Sequence, residues 1–177
     1  MKNLLISIIL ITAHFFCQAN CLQNTYQKEV GVREATGRND GYDVEKYLAS
    51  TGFGKGYAWC AAMVNWVHQQ CGFETPESAA WSPSWFPTSK VIYHRGKLTF
   101  GMPGYQIPSS GDVFGIYFRN KGRIAHVGFI HQWIKGPFVK TFEGNTNEAG
   151  SREGDGNYYK RRLKSQIYKI SRWREQA

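Results

Sequence analysis

Apolar positions in the first half of the chain recur at helical spacing in two places. Val44, Tyr47 and Leu48 form one apolar stripe, which predicts a short helix over residues 42–49. A second and more continuously apolar stretch predicts a helix from about residue 59 to residue 70. Because apolar residues surround most of this second helix, we expect it to be largely buried.

In the second half, beyond Gly111, the pattern changes to stretches rich in Val, Ile, Phe, Tyr and Trp that are separated by turn residues. Such stretches predict β-strands, here an antiparallel meander. Helices followed by strands predict the α+β class, with the N-terminal helices packed on an antiparallel sheet. The predicted strands cover residues 112–118, 124–134, 138–143 and 166–173.

Two further segments show neither the helical nor the strand pattern of apolar residues. Residues 73–108 contain five of the six prolines, which predicts an irregular segment. Since long ordered loops are often functional, we expect this segment to form one wall of a cleft. Residues 145–157 are rich in Gly, Asn and Glu and predict a polar loop.

The N-terminus carries one basic residue, Lys2, before an apolar stretch over residues 4–16. This pattern is typical of a secretory signal peptide, because a membrane-spanning helix needs about 20 apolar residues. We expect a signal peptide over residues 1–21 and a single catalytic domain over residues 22–177. The mature protein is then exported to the periplasm or the extracellular space.

The cysteines admit several arrangements in an exported chain. Cys21 lies just after the apolar stretch of the predicted leader, a position from which a cysteine can become the acylated first residue of a lipoprotein, although residues 18–20 match a lipobox poorly. Cys60 and Cys71 lie on one predicted helix about 16 Å apart, which is too far for a disulfide. Cys60 is therefore expected to be free, whereas Cys71 either pairs with Cys21 or packs as a small hydrophobic residue.

The formal net charge is +9, carried partly by a basic cluster over residues 160–174. An exported basic protein is attracted to anionic envelope polymers, whereas nucleic acid is not an expected partner outside the cytoplasm. The alternative interpretation is a solvated basic face that keeps the protein soluble. The cysteine and histidine spacings do not suit a metal, and we expect a monomer with no metal, no cofactor and no transmembrane segment.

Cys60 stands where a loop turns into the buried helix, and a thiol at a helix N-terminus has a lowered pKa. His126 on a predicted strand supplies a base, and Glu143 and Asn145 follow on the next strand. A carboxylate or an amide at the second ring nitrogen of such a base fixes its tautomer. If the strand continues through Gly144, Glu143 and Asn145 share one face. The order Cys, His, Glu, Asn predicts a thiol protease arrangement, although each residue alone also suits a structural role.

These residues resemble the CHAP amidases and endopeptidases of bacterial cell-wall hydrolysis, which are relatives of the NlpC/P60 enzymes with a papain-like fold. The resemblance spans roughly residues 31–173. It implies that Cys60 is the nucleophile, His126 the general base and Glu143 the orienting residue, with Asn145 as a fourth member. The most specific segments are Trp59-Cys60-Ala61-Ala62, Asn65-Trp66, Gly111-Asp112-Val113, His126-Val127-Gly128 and Glu143-Gly144-Asn145.

The resemblance implies a secreted cysteine peptidase or amidase that cleaves amide bonds in peptidoglycan stem peptides. Tyr57, Trp59, Trp81 and Trp85 are expected to bind substrate by stacking on sugar rings or peptide planes. The alternative function is a non-catalytic cell-wall-binding or interaction protein on the same scaffold, which uses its basic and aromatic surface.

Overall fold

A computed structural model of the protein describes residues 21–149 and 154–174. In this part of the chain, three α-helices and six β-strands are present. Helix α1 covers residues 21–28, α2 covers Tyr42–Ala49 and α3 covers Cys60–Gln70. The strands are β1 (Val91–His94), β2 (Val113–Phe118), β3 (Arg123–Gln132), β4 (Phe138–Thr146), β5 (Gly156–Leu163) and β6 (Lys169–Ser171).

The strands form one antiparallel sheet in the order β1-β6-β2-β3-β4-β5. Strands β2 to β5 follow one another as a meander, and β6 then returns to pair with the free side of β2. The predicted α+β class, with helices packed on an antiparallel sheet, is confirmed at this level. Among the described residues, no helix has the length and apolar character that crossing a bilayer requires.

Helix α3 packs on one face of the sheet and forms the centre of the main core. Its Met63, Val64 and Val67 are fully buried in one cluster with Phe129 of β3 and Phe142 of β4. Helix α2 packs against α3 through its apolar stripe. The N-terminus of α3, where Cys60 lies, is therefore held firmly against the middle of the sheet.

Two strands of this sheet fall outside the four predicted ones. Strand β1 lies within the segment predicted to be irregular, and β5 begins inside the predicted polar loop. Strand β5 lies at the sheet edge and carries Lys160, Arg161 and Arg162. Charged residues are common on edge strands because they oppose pairing with other chains. The part of the basic cluster before residue 164 is therefore an edge strand.

Cys21 and Cys71 form a disulfide, with their Cα atoms 5.9 Å apart. It ties the described start of α1 to the C-terminal end of α3. On the same helix, Leu22 is fully buried and Tyr26 stacks against Phe129 and Phe142 of the core. Cys21 thus packs with the domain, and the disulfide occupies the sulfur that lipidation of this residue requires. The rest of the predicted signal peptide lies outside the described residues.

Candidate active site

Cys60 is the first residue of α3 and the one free cysteine among the described residues. It is buried, with 5% of its surface exposed. The loop before it is held by Asn145, whose Oδ1 accepts a hydrogen bond from the Trp59 backbone N–H at 3.2 Å. The thiol therefore lies at the positive end of the helix dipole, where a thiolate is stabilised.

His126 and Glu143 come together from neighbouring strands. Nε2 of His126 lies 2.8 Å from Oε2 of Glu143, and both side chains are almost fully buried. Gly128 of β3 permits this approach, because a Cβ at that position would lie 2.6 Å from the carbonyl oxygen of Phe142 and 3.2 Å from Cγ of Glu143. A larger residue at 128 would push β4 and its carboxylate away from the imidazole.

The Cys60 thiol and the His126 imidazole perturb each other's ionisation. Burial alone would raise the pKa of Cys60, but the neighbouring imidazole of His126, with smaller contributions from the Val127 backbone and Ser82, lowers it below its ordinary value. Burial would also lower the pKa of His126, yet Cys60 and Glu143 raise it to about 9. The arrangement therefore favours a thiolate and an imidazolium.

Nδ1 is the imidazole nitrogen left for Cys60, because Nε2 is bonded to Glu143. Within the described part of the chain, Nδ1 is buried and has no hydrogen bond of standard geometry. The contact with the thiol is therefore looser than a standard hydrogen bond. Such contacts are common in unliganded active sites and tighten when substrate binds.

The Glu143 carboxylate has two further partners that the sequence analysis did not predict. Arg162 of β5 donates hydrogen bonds to both of its oxygens, and the hydroxyl of Thr141 donates to Oε1. Burial alone would raise the pKa of Glu143, but Arg162 and His126 lower it to about 2. Strand alternation could have identified Thr141, since it lies two residues before Glu143 and so points to the same face. Nothing in the sequence distinguishes Arg162 from the other residues of the basic cluster.

Asn145 does not share the surroundings of Glu143. Its φ is +54°, in the left-handed region, and the pairing of β4 with β5 shifts register between Glu143 and Thr146. The regular alternation therefore breaks at this point, and the condition for a shared face is not met. Besides Trp59, the Asn145 side chain bonds to Asn39, Glu34 and the backbone of Gly154, and none of these bonds reaches His126.

Cys60 lines a cavity of about 230 Å³ between the loop before α3 and the start of β3. Of the four aromatic residues predicted to bind substrate, Tyr57 and Trp81 line this cavity and are about half exposed. Trp59 and Trp85 are fully buried in the core, so their predicted role in substrate binding is wrong. The other lining residues are Leu48, Phe53, Ala58, Ala80, Ser82, Arg123 and Ala125.

Trp59 and Trp85 are structural for identifiable reasons. Trp59 stacks on Tyr47 and donates its indole N–H to Glu34 at 2.9 Å. Trp85 packs on Trp173 and donates its indole N–H to the carbonyl of Ala79 at 2.9 Å. A buried indole needs such an acceptor, and both tryptophans find one within the fold.

No protein-family model, curated protein or solved structure matches the chain. Among the described residues, no group of three or more His, Cys, Asp or Glu side chains is arranged to hold a metal ion. The chemistry open to this site from its own residues is that of a thiolate beside an imidazolium.

Proposed function

We propose that the protein is a cysteine hydrolase that cleaves amide bonds in peptidoglycan stem peptides. The observation that carries this proposal is the line of three buried groups formed by Cys60, His126 and Glu143, with the thiol opening on a cavity. The pKa shifts of Cys60, His126 and Glu143 favour a thiolate, an imidazolium and a carboxylate, which are the states that acyl transfer from an amide requires.

In the proposed reaction, the Cys60 thiolate attacks the amide carbonyl carbon and forms a tetrahedral oxyanion. The backbone N–H of Cys60, at the start of α3, is a candidate donor to this oxyanion. The hydroxyl of Ser82, whose Oγ lies 4.0 Å from the Cys60 sulfur, is a second candidate. His126 then gives its proton to the leaving amine, and the C–N bond breaks to leave a thioester.

Water completes the cycle. The neutral His126 takes a proton from a water molecule, which attacks the thioester carbonyl and releases the acid and the Cys60 thiolate. Glu143 has a pKa of about 2 beside Arg162 and His126, and its ion pair with Arg162 remains while the imidazole is neutral, so the carboxylate stays ionised. Its bond to Nε2 keeps Nδ1 directed at the sulfur and the substrate.

Four features support a cell-wall peptide as the substrate. The sequence motifs resemble those of CHAP enzymes, and the N-terminal pattern predicts export. The net charge of +9 favours association with anionic wall polymers. The cavity at Cys60 also presents apolar and aromatic walls, which suit a peptide in an extended conformation.

The test is digestion of purified sacculi with the wild-type protein and with Cys60→Ala and Cys60→Ser. We expect the wild type to release soluble muropeptides and both variants to release none, while their melting temperatures remain close to that of the wild type. Mass spectrometry of the products then distinguishes an amidase, which frees the sugar lactyl group, from an endopeptidase, which exposes a new peptide amine.

The same experiment addresses the non-catalytic alternative. A wall-binding protein would sediment with sacculi equally well with Cys60 or Ala at this position, and the wild type would release no fragments. Folded Cys60→Ala with undiminished digestion would reject the thiol mechanism. Alkylation of the native protein with iodoacetamide gives an independent check, since a thiolate at Cys60 reacts below the pH at which an ordinary thiol does.

A further inference from the structure

The cavity at Cys60 has an exposed aromatic wall. Phe53, Tyr57 and Trp81 expose 42%, 57% and 48% of their surfaces, and all three line this cavity. Phe53 and Tyr57 also contact each other, with ring centroids 5.0 Å apart. Clustered exposed aromatic rings on a soluble domain typically mark a binding site.

Among the described residues that line this cavity, Arg123 is the one cationic side chain. Its guanidinium lies 3.9 Å from the centre of the Trp81 ring, and its Nη1 donates a hydrogen bond to the Ile124 carbonyl at 3.0 Å. Stacking on the indole and the backbone bond together restrict the side chain. A restricted guanidinium loses little further conformational entropy when it binds an anion.

The surroundings of Arg123 differ from those of three arginines near the end of the chain, which are held in ion pairs. Arg162 directs its fork at Glu143, whereas Arg172 and Arg174 both pair with Asp112. Among the described residues, no carboxylate lies within ion-pair distance of Arg123. Most of its N–H donors are thus left for a group that enters the cavity.

We infer that Arg123, held on Trp81, forms a subsite for a free carboxylate on the peptide that is bound at Cys60. The inference rests on the proposed hydrolase function and specifies its substrate class: acidic peptides with a carboxylate beside the scissile amide. A guanidinium fork matches a carboxylate through two parallel hydrogen bonds. A carboxamide in the same place offers one acceptor oxygen and no charge, so the site selects against amidated peptides.

The test uses two synthetic stem peptides that differ only in a carboxylate or a carboxamide beside the cleaved bond. We expect wild-type kcat/KM to favour the carboxylate peptide by about 10-fold to 100-fold, the range of one charged hydrogen-bonded pair. In Arg123→Gln this ratio falls to within about threefold of unity, and in Arg123→Lys and Trp81→Ala it falls less. Melting temperatures verify that each variant is folded.

Arg119→Gln is the matched control, because it removes the same charge from the exposed turn just before β3. Its carboxylate-to-carboxamide ratio should equal that of the wild type. A wild-type ratio near unity, or a ratio that survives in folded Arg123→Gln, overturns the subsite. Equal losses in Arg119→Gln and Arg123→Gln also overturn it, since they indicate general attraction by surface charge.

Binding measurements separate this inference from the proposed function. Titration calorimetry with Cys60→Ala reports affinity for both peptides without turnover. If wild type cleaves neither peptide but Cys60→Ala binds the carboxylate peptide more tightly and Arg123→Gln abolishes the difference, the subsite stands and the hydrolase proposal fails. If both peptides are cleaved without preference, the hydrolase proposal stands and the subsite fails. Absence of both cleavage and binding overturns the subsite.

Discussion

Arg162 of β5 donates hydrogen bonds from Nε and Nη2 to the two carboxylate oxygens of Glu143 on β4. This pair is largely buried, and Glu143 in turn binds Nε2 of His126. The ionisation of the imidazole therefore depends on a strand at the edge of the sheet. Arg162 touches neither Cys60 nor the cavity, and it acts as a positioning residue for Glu143.

Replacing Arg162 with Gln should raise the pKa of Glu143 from about 2, because burial then acts on a carboxylate without its strongest partner. The acid limb of the pH profile should consequently move to higher pH. We expect kcat to fall by about 10-fold to 100-fold, equivalent to one charged hydrogen bond. Measurement of kcat/KM from pH 4 to pH 10 tests both expectations.

Arg161→Gln provides the control for that experiment. Arg161 is the adjacent residue on β5, is exposed, and stacks over Phe138 instead of contacting Glu143. The same change in net charge there should leave the acid limb in place. Coincident pH profiles for folded Arg162→Gln and the wild type would contradict the positioning role.

The variants Glu143→Gln and Asn145→Gly distinguish support of the His126 imidazole from support of the loop before Cys60. Loss of the Glu143 charge should lower the pKa of His126 from about 9, so the basic limb of activity moves to lower pH. Activity should fall at least 100-fold, as expected when the group that fixes an imidazole tautomer is lost. In Asn145→Gly, the basic limb should stay in place, since Asn145 bonds to the Trp59 backbone rather than to His126.

Glycine is the informative replacement at position 145 because it accepts the left-handed backbone of this residue without strain. The variant removes the side chain that holds the loop before Cys60, together with its bonds to Asn39, Glu34 and the Gly154 backbone. We expect about a 10-fold loss of kcat, because the buried Trp59 N–H loses its acceptor and the loop before Cys60 is held less firmly. A downward shift of the basic limb in Asn145→Gly would instead assign Asn145 to the imidazole.

Much of the fold follows from local pattern, and its failures have physical causes. The bounds of α2 match the predicted helix, and α3 begins one residue after the predicted start. Strand β5 escaped prediction because its alternation involves Lys and Arg, whose long side chains suit both an edge strand and a solvated loop. Strand β1 is four residues long and lies among prolines, too short for its period to be visible.

At the site, the sequence alone predicts where a side chain lies when a single helix or strand determines its position. Cys60 at a helix start and His126 on a central strand follow from their neighbours along the chain. Asn145 itself adopts a left-handed backbone conformation, and this conformation turns its side chain away from the face that strand alternation predicts. Arg162 reaches Glu143 because β4 and β5 pair in one particular register. No local pattern in the sequence encodes the register of two strands that a loop connects.

The Cys21–Cys71 disulfide should stabilise the domain without taking part in its chemistry. It closes a loop with a sequence separation of 50 residues, and the chain-entropy model assigns about 4 kcal/mol to a loop of that size. The Cys21→Ser, Cys71→Ser double variant should lose about 2–4 kcal/mol of unfolding free energy in urea, with kcat at 25 °C retained. An unchanged unfolding midpoint would contradict a structural role for the disulfide.

His68 should make the protein less stable in mild acid. It is fully buried on α3, stacks against Phe129, and burial lowers its pKa to about 4. In the unfolded chain the same group titrates near 6.5, so the unfolded state binds more protons between these values and gains stability as pH falls from 6.5 towards 4. The folded protein should lose about 3 kcal/mol over this window, since one pKa unit corresponds to about 1.4 kcal/mol.

His68→Phe tests this prediction because phenylalanine keeps an aromatic ring in the core and removes the titration. Nε2 of His68 has no hydrogen-bond partner among the described residues, so removing this nitrogen breaks no hydrogen bond. Nδ1 bonds to the Val64 carbonyl at 2.8 Å, and its removal should cost about 1 kcal/mol of unfolding free energy at every pH.

We expect the free energy of urea unfolding to depend less on pH between 6.5 and 4.5 in the variant than in the wild type. Glu143 does not interfere in this window, because its contribution is lost only as pH falls below 4.5 towards about 2. Parallel stability curves for the two proteins would show that His68 does not titrate in the folded core as its burial requires.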